Sequence, residues 1–279
     1  MTELPLVSIV IPVFNGLPHL VKTLESAREQ TYSNIEIVVV DGGSDETTLH
    51  YLRSIENSIS RVEFLPQGTP VADTWSRSCE LACGEFVKLL CQDDILHPTA
   101  IQSQVNFLLA EKDAGLVFSK RDIIDVNGSV VAKSRGGLRG QSRVLDGRTA
   151  LRFGYLAGAN IFGEPEAVLF RRSALTEHLP WNSAIPYLID MEMYARIMMS
   201  GKVGYLGETV GAFRVSSQSW STRLSAEQTQ QFQQWQTWVR DLLGDVVAFE
   251  RLRARINSVR VSWMRTAAYT WLRFRGKLN

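Results

Sequence analysis

Four short apolar runs, each separated from the next by a helical pattern or a turn, dominate the first 94 residues of this 279-residue chain. The runs are "LVSIVIPVF" (6–14), "IEIVVV" (35–40), "RVEFL" (61–65) and "EFVKLL" (85–90). Between them, 18–30 has helical spacing through Leu20, Leu24 and Ala27, and 46–57 and 71–82 also read as helices. Strands alternating with helices build βαβ units around a mostly parallel sheet. Strands that are apolar on both sides, with no inside–outside alternation, fit a sheet covered on both faces. The fold class is therefore α/β.

The rhythm continues after 94. Residues 99–113 read as a helix and 114–119 as a strand, and 121–131 as two strands joined by an Asn127–Gly128 turn. Residues 133–147 are rich in Gly and Arg and lack periodicity, which predicts an exposed loop. Its Arg135, Arg139 and Arg143 could cover a phosphate-bearing ligand or simply be solvated. A strand leads into a helix over 167–175, a helix spans 185–201, and from about 222 the chain reads as helical.

Composition narrows the function classes. A net charge of +1 lacks the basic excess of a nucleic-acid binder. Three cysteines, at 79, 83 and 91, do not suggest a secreted disulfide framework and can be small buried residues. No basic-then-apolar leader is visible, and no stretch reaches the ~18 apolar residues of a membrane span. An intracellular, cytoplasmic enzyme is the expectation. The four histidines are scattered without HxH or HExxH spacing, which argues against zinc.

In an open parallel sheet, ligands bind beyond the carboxyl ends of the strands. Asp41 directly follows the run 35–40, and Asp93 and Asp94 follow 85–90 after Cys91 and Gln92. Adjacent carboxylates repel unless a proton, water or cation offsets them. A hard divalent ion accepts carboxylate oxygens and can bridge them to substrate phosphates, so "CQDD" could hold Mg²⁺ or Mn²⁺ against a diphosphate. It could also be a polar turn or a cap, and Asp41 could cap the helix after "DGGSD". "PVFNG" is neither a dinucleotide fingerprint nor a P-loop, so a metal and basic side chains would have to meet any phosphate. Farther along, Asp190 opens an amphipathic helix, in phase with Met193 and Ile197, while Glu192 and Arg196 are spaced to pair. Asp190 could activate a hydroxyl, or only favour the helix dipole.

Together, "VSIVIPVFNGLPHLVKTLESAREQTYSNIEIVVVDGGSDET" (7–47), "ACGEFVKLLCQDD" (82–94), "AVLFRRSAL" (167–175), "IDMEMYARI" (189–197) and "FRVSSQSWS" (213–221) resemble the family 2 glycosyltransferases, an inverting group with the GT-A fold. The resemblance covers residues 5–221. It implies a GT-A domain over 1–221, with a nucleotide-binding half over 1–98 and an acceptor-binding half over 99–221. Residues 222–279 form a helical basic and aromatic extension. The resemblance implies that Pro12, Phe14 and Asn15 line the base and ribose region and that Asp41 holds base or ribose. It also assigns Asp93 and Asp94 to the metal, Asp190 to the catalytic base, and Arg214, with a looser match at Arg77, to the diphosphate. Cys91 stands where relatives carry the first Asp of D-x-D, Ile189 where they carry Glu, and Ser216 where many carry His.

The implied reaction moves a sugar from a nucleoside diphosphate sugar to a hydroxyl of a carbohydrate or lipid-linked acceptor, in cell-surface polysaccharide or glycolipid synthesis. Asp190 takes the acceptor proton while a divalent ion offsets charge on the leaving diphosphate. A metal-dependent nucleotidyltransferase, a nucleotide-sugar hydrolase and a silent nucleotide-sugar-binding module stay open as alternatives. Residues 251–279 hold eight Arg or Lys and no acid, interleaved with Trp263, Tyr269 and Trp271. This tail could rest on an anionic membrane at the inner face, pack on the core, or mediate self-association.

Overall fold

A computed structural model describes residues 4–217 and 227–278. Ten strands form a single sheet in the order β3-β2-β1-β4-β9-β6-β10-β5, with β7 added to β6 and β8 to β10. The first half matches the sequence reading. β1 (Val7–Val13), β2 (Ile35–Asp41), β3 (Arg61–Phe64) and β4 (Phe86–Leu89) are parallel neighbours. They are linked by α1 (His19–Arg28), α2 (Glu46–Ile55) and α3 (Val71–Glu80). Register sets the site: Val13 lies opposite Asp41, so the loop after β1 and the turn after β2 leave the sheet side by side.

Both faces are covered, which is why β1 reads as unbroken apolar residues. Ile9 and Ile11 pack with Leu20 and Leu24 of α1 and with Ile101 and Val105 of α4 (Ala100–Ala110). Val10 points to the other side, among Ala72, Phe118, Tyr194 and Trp235. The period-two alternation of a strand divides one apolar run between two cores.

Beyond β5 (Ile95–Leu96) the sheet becomes mixed. β9 (Val168–Arg171) runs antiparallel between β4 and β6 (Ala114–Ile124), while β10 (Lys202–Arg214) is parallel to β6 with register breaks near Leu206 and Thr209. The stretch 133–147 is not one loop. β7 (Val130–Arg135) pairs with β6, and β8 (Arg143–Asp146) pairs with β10. Asp146 then caps α5 (Gly147–Ala157) by accepting from the Thr149 amide at 3.0 Å. The strand and helix read over 167–175 are β9 and α6 (Arg172–Glu177), and the helix read over 185–201 is α7 (Ile189–Ser200).

The C-terminal helices α8 (Gln228–Leu243) and α9 (Ala248–Phe274) pack on the core. Trp235 is fully buried. Arg152 of α5 forms ion pairs with Asp245 and Glu250, and Asn257 donates to the Leu156 carbonyl at 2.7 Å. The end of α9 is held by Ser217, which donates to the Leu278 carbonyl at 2.7 Å, and by a Lys277–Asp125 ion pair at 3.2 Å. Among the described residues no helix is long and apolar enough to cross a membrane. The end of the segment 213–221, and the boundary set at 221, lie outside the described residues.

Candidate active site

A cleft of about 1000 Å³ opens over the carboxyl ends of β1 and β4. Pro12, Phe14 and Asn15 line it, as does Gly42 from the turn after β2, with Thr74 and Trp75 from α3. Asn15 has a positive φ of 54°, a conformation that Asn tolerates better than most residues. Its side chain accepts from the Asp45 amide at 2.8 Å, and its own amide donates to Ser44 Oγ at 2.8 Å. Gln92 clamps the same loop: the Phe14 amide donates to its Oε1 at 2.7 Å and its Nε2 donates to the Phe14 carbonyl at 2.8 Å. Phe14, 47% exposed, presents an aromatic ring at the cleft.

Asp93 lines the cleft and is half-buried. Burial pushes its carboxyl up to about 6, against the pull of Arg214. Asp94, expected beside it as a metal ligand, is fully buried and does not line the cleft. Its Oδ1 accepts from the Arg214 amide at 2.9 Å, and Oδ2 has no hydrogen-bond partner. Adjacent side chains leave a chain in different directions, and here only one of the two reaches the cavity. Asp41 is likewise fully buried rather than lining the cleft. Its Oδ2 accepts from the amides of Gly43 and Ser44, both at 2.9 Å, and Oδ1 has no protein partner.

The two basic residues expected on the diphosphate are engaged elsewhere. Arg214 is 4% exposed. Its Nε donates to the Asp93 carbonyl at 2.9 Å, and its Nη1 to the carbonyls of Asp125 and Val126 at 3.0 and 3.2 Å. It rivets β10 to the acidic turn. Arg77 does not line the cleft; it grips Glu63 at 2.6 and 3.1 Å and Glu80 at 3.3 Å. Among the described residues, the arginines lining the cleft are Arg121, Arg135 and Arg265. Arg135 belongs to the Arg-rich stretch read as a loop.

Asp190 enters the same cleft from the first turn of α7 and is only 7% exposed. Burial, reinforced by Glu164, raises its carboxyl to about 7. Its Oδ1 accepts from the Met191 amide at 2.7 Å, and Asn160 Nδ2 donates to its Oδ2 at 3.3 Å. Asn160 is itself fixed by the amides of Phe162 and Gly163, at 3.1 and 3.0 Å. Glu164 lines the cleft in a two-pronged pair with Arg121, at 2.5 and 3.0 Å. Glu192 pairs with Arg196 at 2.9 Å, as their spacing predicts.

Behind this wall, Glu166 is fully buried and burial lifts it to about 8. Lys88, also buried and lowered to about 7, donates to Gln104 at 2.6 Å and to the Glu166 carbonyl at 2.9 Å. Sequence reading missed Asn160, Glu164, Arg121 and Arg265; no periodicity or motif marks "ANIFGEPEA". Burial raises the Cys79 thiol to about 12, and burial with neighbouring carboxylates raises the Cys91 thiol well above its ordinary value. Cys83, expected in the core, is exposed.

Among the described residues no cluster of three His, Cys, Asp or Glu is arranged to hold a metal. A cation at Asp93 would have one protein carboxylate, with phosphate and water completing its shell. Mg²⁺ accepts that arrangement, because it keeps waters and binds through one or two carboxylates plus substrate phosphates.

Comparison with known proteins gives the family. A glycosyltransferase from Haemophilus influenzae, itself described as uncharacterized, is 25% identical over 241 residues, 82% of this chain and 72% of that protein. Chondroitin synthase of Escherichia coli is 29% identical over 133 residues, 47% of this chain but only 19% of that protein. An uncharacterized glycosyltransferase of Rickettsia felis is 36% identical over 129 residues, 45% of this chain and 21% of that protein. The chain therefore spans well under half the length of several relatives. In structure it resembles S. aureus TarS 1-349 in complex with UDP-GlcNAc (TM-score 0.66, 14% identity, covering 90% of this chain and 70% of that one). It also resembles the mannosyltransferase PcManGT of Pyrobaculum calidifontis in complex with GDP-Man and Mn²⁺ (TM-score 0.59, 18% identity, 97% and 81%). The sequence profile described as Glycosyl transferase family 2 matches residues 8–179, from β1 through α6, and the chain belongs to that family.

Proposed function

We propose that the protein is an inverting glycosyltransferase that moves a sugar from a nucleoside diphosphate sugar to an acceptor hydroxyl. The observation that carries this reading is the shared cleft: Asp93 and Asp190, remote in sequence, line one cavity, and Asp190 is held near neutrality. A general base works best with a pKa close to the working pH. The Phe14 ring and the loop of Pro12 and Asn15 supply an aromatic face and fixed polar groups for base and ribose. Asp41, buried beneath the loop, shapes it by accepting from the Gly43 and Ser44 amides. Asp93 would hold Mg²⁺ or Mn²⁺, which when bound neutralises charge on the departing diphosphate. Asp190, oriented by Asn160 and the Met191 amide, accepts the proton of the attacking hydroxyl. That hydroxyl displaces the diphosphate from the opposite face of the anomeric carbon, so the configuration inverts. Arg135 and Arg265 are the cleft cations available to anionic oxygens. Synthesis of a cell-surface polysaccharide or glycolipid is the setting we favour, with a carbohydrate or lipid-linked acceptor.

The test is a screen of nucleotide sugars for metal-dependent binding, followed by acceptor-dependent release of nucleoside diphosphate. Asp190→Ala is expected to abolish transfer and keep donor binding. Full transfer by folded Asp190→Ala protein would reject the assignment. Release of free sugar without acceptor would indicate a hydrolase, and release of pyrophosphate a nucleotidyltransferase.

A further inference from the structure

α9 has two working faces. Its inner face is spoken for: Ala254 and Ser258 are buried against the body, and Val261, Arg265, Tyr269 and Leu272 reach the cleft. Its outer face is apolar and bare. Phe249 is 72% exposed, Leu252 and Ile256 57% each, Val259 44% and Trp263 75%. These five alternate three and four residues apart, so they form one continuous stripe along the helix. Contiguous exposed apolar surface of this kind marks a docking site, whereas scattered single residues do not.

We propose that this stripe docks the protein on an anionic lipid surface. The flanking charge selects that occupant. Arg251, Arg253, Arg255 and Arg260 are all exposed beside the stripe, and no acid follows Glu250 on the helix. Glu250 itself is taken by Arg152. Two copies paired along the stripe would bring Arg253, Arg255 and Arg260 against their own counterparts at the flanking positions, where paired helices carry opposite charges. A lipid surface instead accepts apolar side chains into its headgroup boundary while its anions meet the arginines. Because the inner face of the same helix lines the cleft, docking holds the cleft close to the lipid. That position suits a lipid-linked acceptor, a consequence that rests on the proposed transferase reading; the docking itself does not.

The test is flotation of the purified protein with vesicles of phosphatidylcholine alone and of phosphatidylcholine with one-third phosphatidylglycerol. Size-exclusion chromatography runs alongside. The protein is expected to float with the anionic vesicles at least tenfold better than with the neutral ones, and to lose part of that binding in 0.5 M salt, as screening requires. Leu252→Ser with Ile256→Ser and Trp263→Ser is expected to weaken flotation at least tenfold while leaving the unfolding temperature and acceptor-independent donor binding unchanged. Equal, weak flotation with both vesicles would overturn the proposal. So would a stable dimer that the triple variant splits, which would make a second copy the occupant. Loss of transfer with flotation intact would count against the transferase reading alone.

Discussion

Asp190→Asn separates catalysis from folding, because the same burial that raises the carboxyl should make the native residue costly. In the folded protein Asp190 titrates near 7, against an ordinary 3.8. Between those values the native state holds a proton that the unfolded chain has released. Stability from this group is therefore fully present below 3.8 and is lost as pH rises through 7. At about 1.36 kcal/mol per pH unit, the loss between pH 5 and pH 8 is roughly 3 kcal/mol. Asparagine cannot ionise, so it escapes that loss. It can still accept from the Met191 amide, but its amide group faces the donating Asn160, which costs about 1 kcal/mol at both pH values. Relative to wild type, Asp190→Asn is thus expected to be near neutral at pH 5 and more stable by about 2–3 kcal/mol at pH 8. Urea unfolding at the two pH values measures this, and transfer is read by acceptor-dependent release of nucleoside diphosphate. The expected pattern is a stabler protein with transfer reduced at least 10³-fold, within the range lost with a general base and its charge. Equal destabilisation at both pH values would refute the reasoning, because Asp190 would then be a structural carboxylate with an ordinary pKa.

Three further outcomes follow from the same geometry. In the wild type, kcat/KM should rise with pH along a limb with an apparent pKa near 7, since Asp190 must be ionised to accept a proton; a profile flat from pH 5 to 8 would contradict the assignment. Asp93→Ala should reduce donor turnover and flatten its dependence on Mg²⁺ or Mn²⁺, whereas Asp94→Asn should act mainly on stability, because Asp94 holds the Arg214 amide and faces away from the cavity; steady-state kinetics over a metal titration separates the two. Gln92→Ala removes both bonds to the Phe14 backbone, about 1–2 kcal/mol. It should raise the donor KM roughly tenfold with little change in kcat, and an unchanged KM would show that the loop holds its shape without the clamp.

The N-terminal half was legible because its strands are buried on both faces. A run such as Val7–Val13, with every residue buried, leaves little choice but a central strand. β10 was missed because three glycines and a glutamate break "KVGYLGETVGAFR", and those interruptions coincide with its register shifts against β6. The stretch 133–147 hid β8 because Arg143–Asp146 offers only two apolar residues, Val144 and Leu145, too short a run to read as a strand; their pairing to β10 defines them. The same division runs through the site. That Asp93 and Asp190 line the cleft was readable because a carboxylate at a strand end or a helix start has a local reason to be noticed. The partners of Arg77 and Arg214 were not readable because a cation's partner is chosen by tertiary structure: Glu63 for one, main-chain carbonyls for the other. Asn160 and Glu164 act from an irregular segment whose order comes only from the elements around it.

The Arg214 rivet ties together parts of the chain that lie far apart in sequence. The turn carrying Asp93 is tied to its own half of the chain by Thr23, which donates to the Gln92 and Asp94 carbonyls at 2.9 Å, and to β10, 120 residues later, by Asp94 accepting from the Arg214 amide. Without β10 the turn would keep its Thr23 and Gln92 ties, but both side-chain oxygens of the buried Asp94 would be left without a partner.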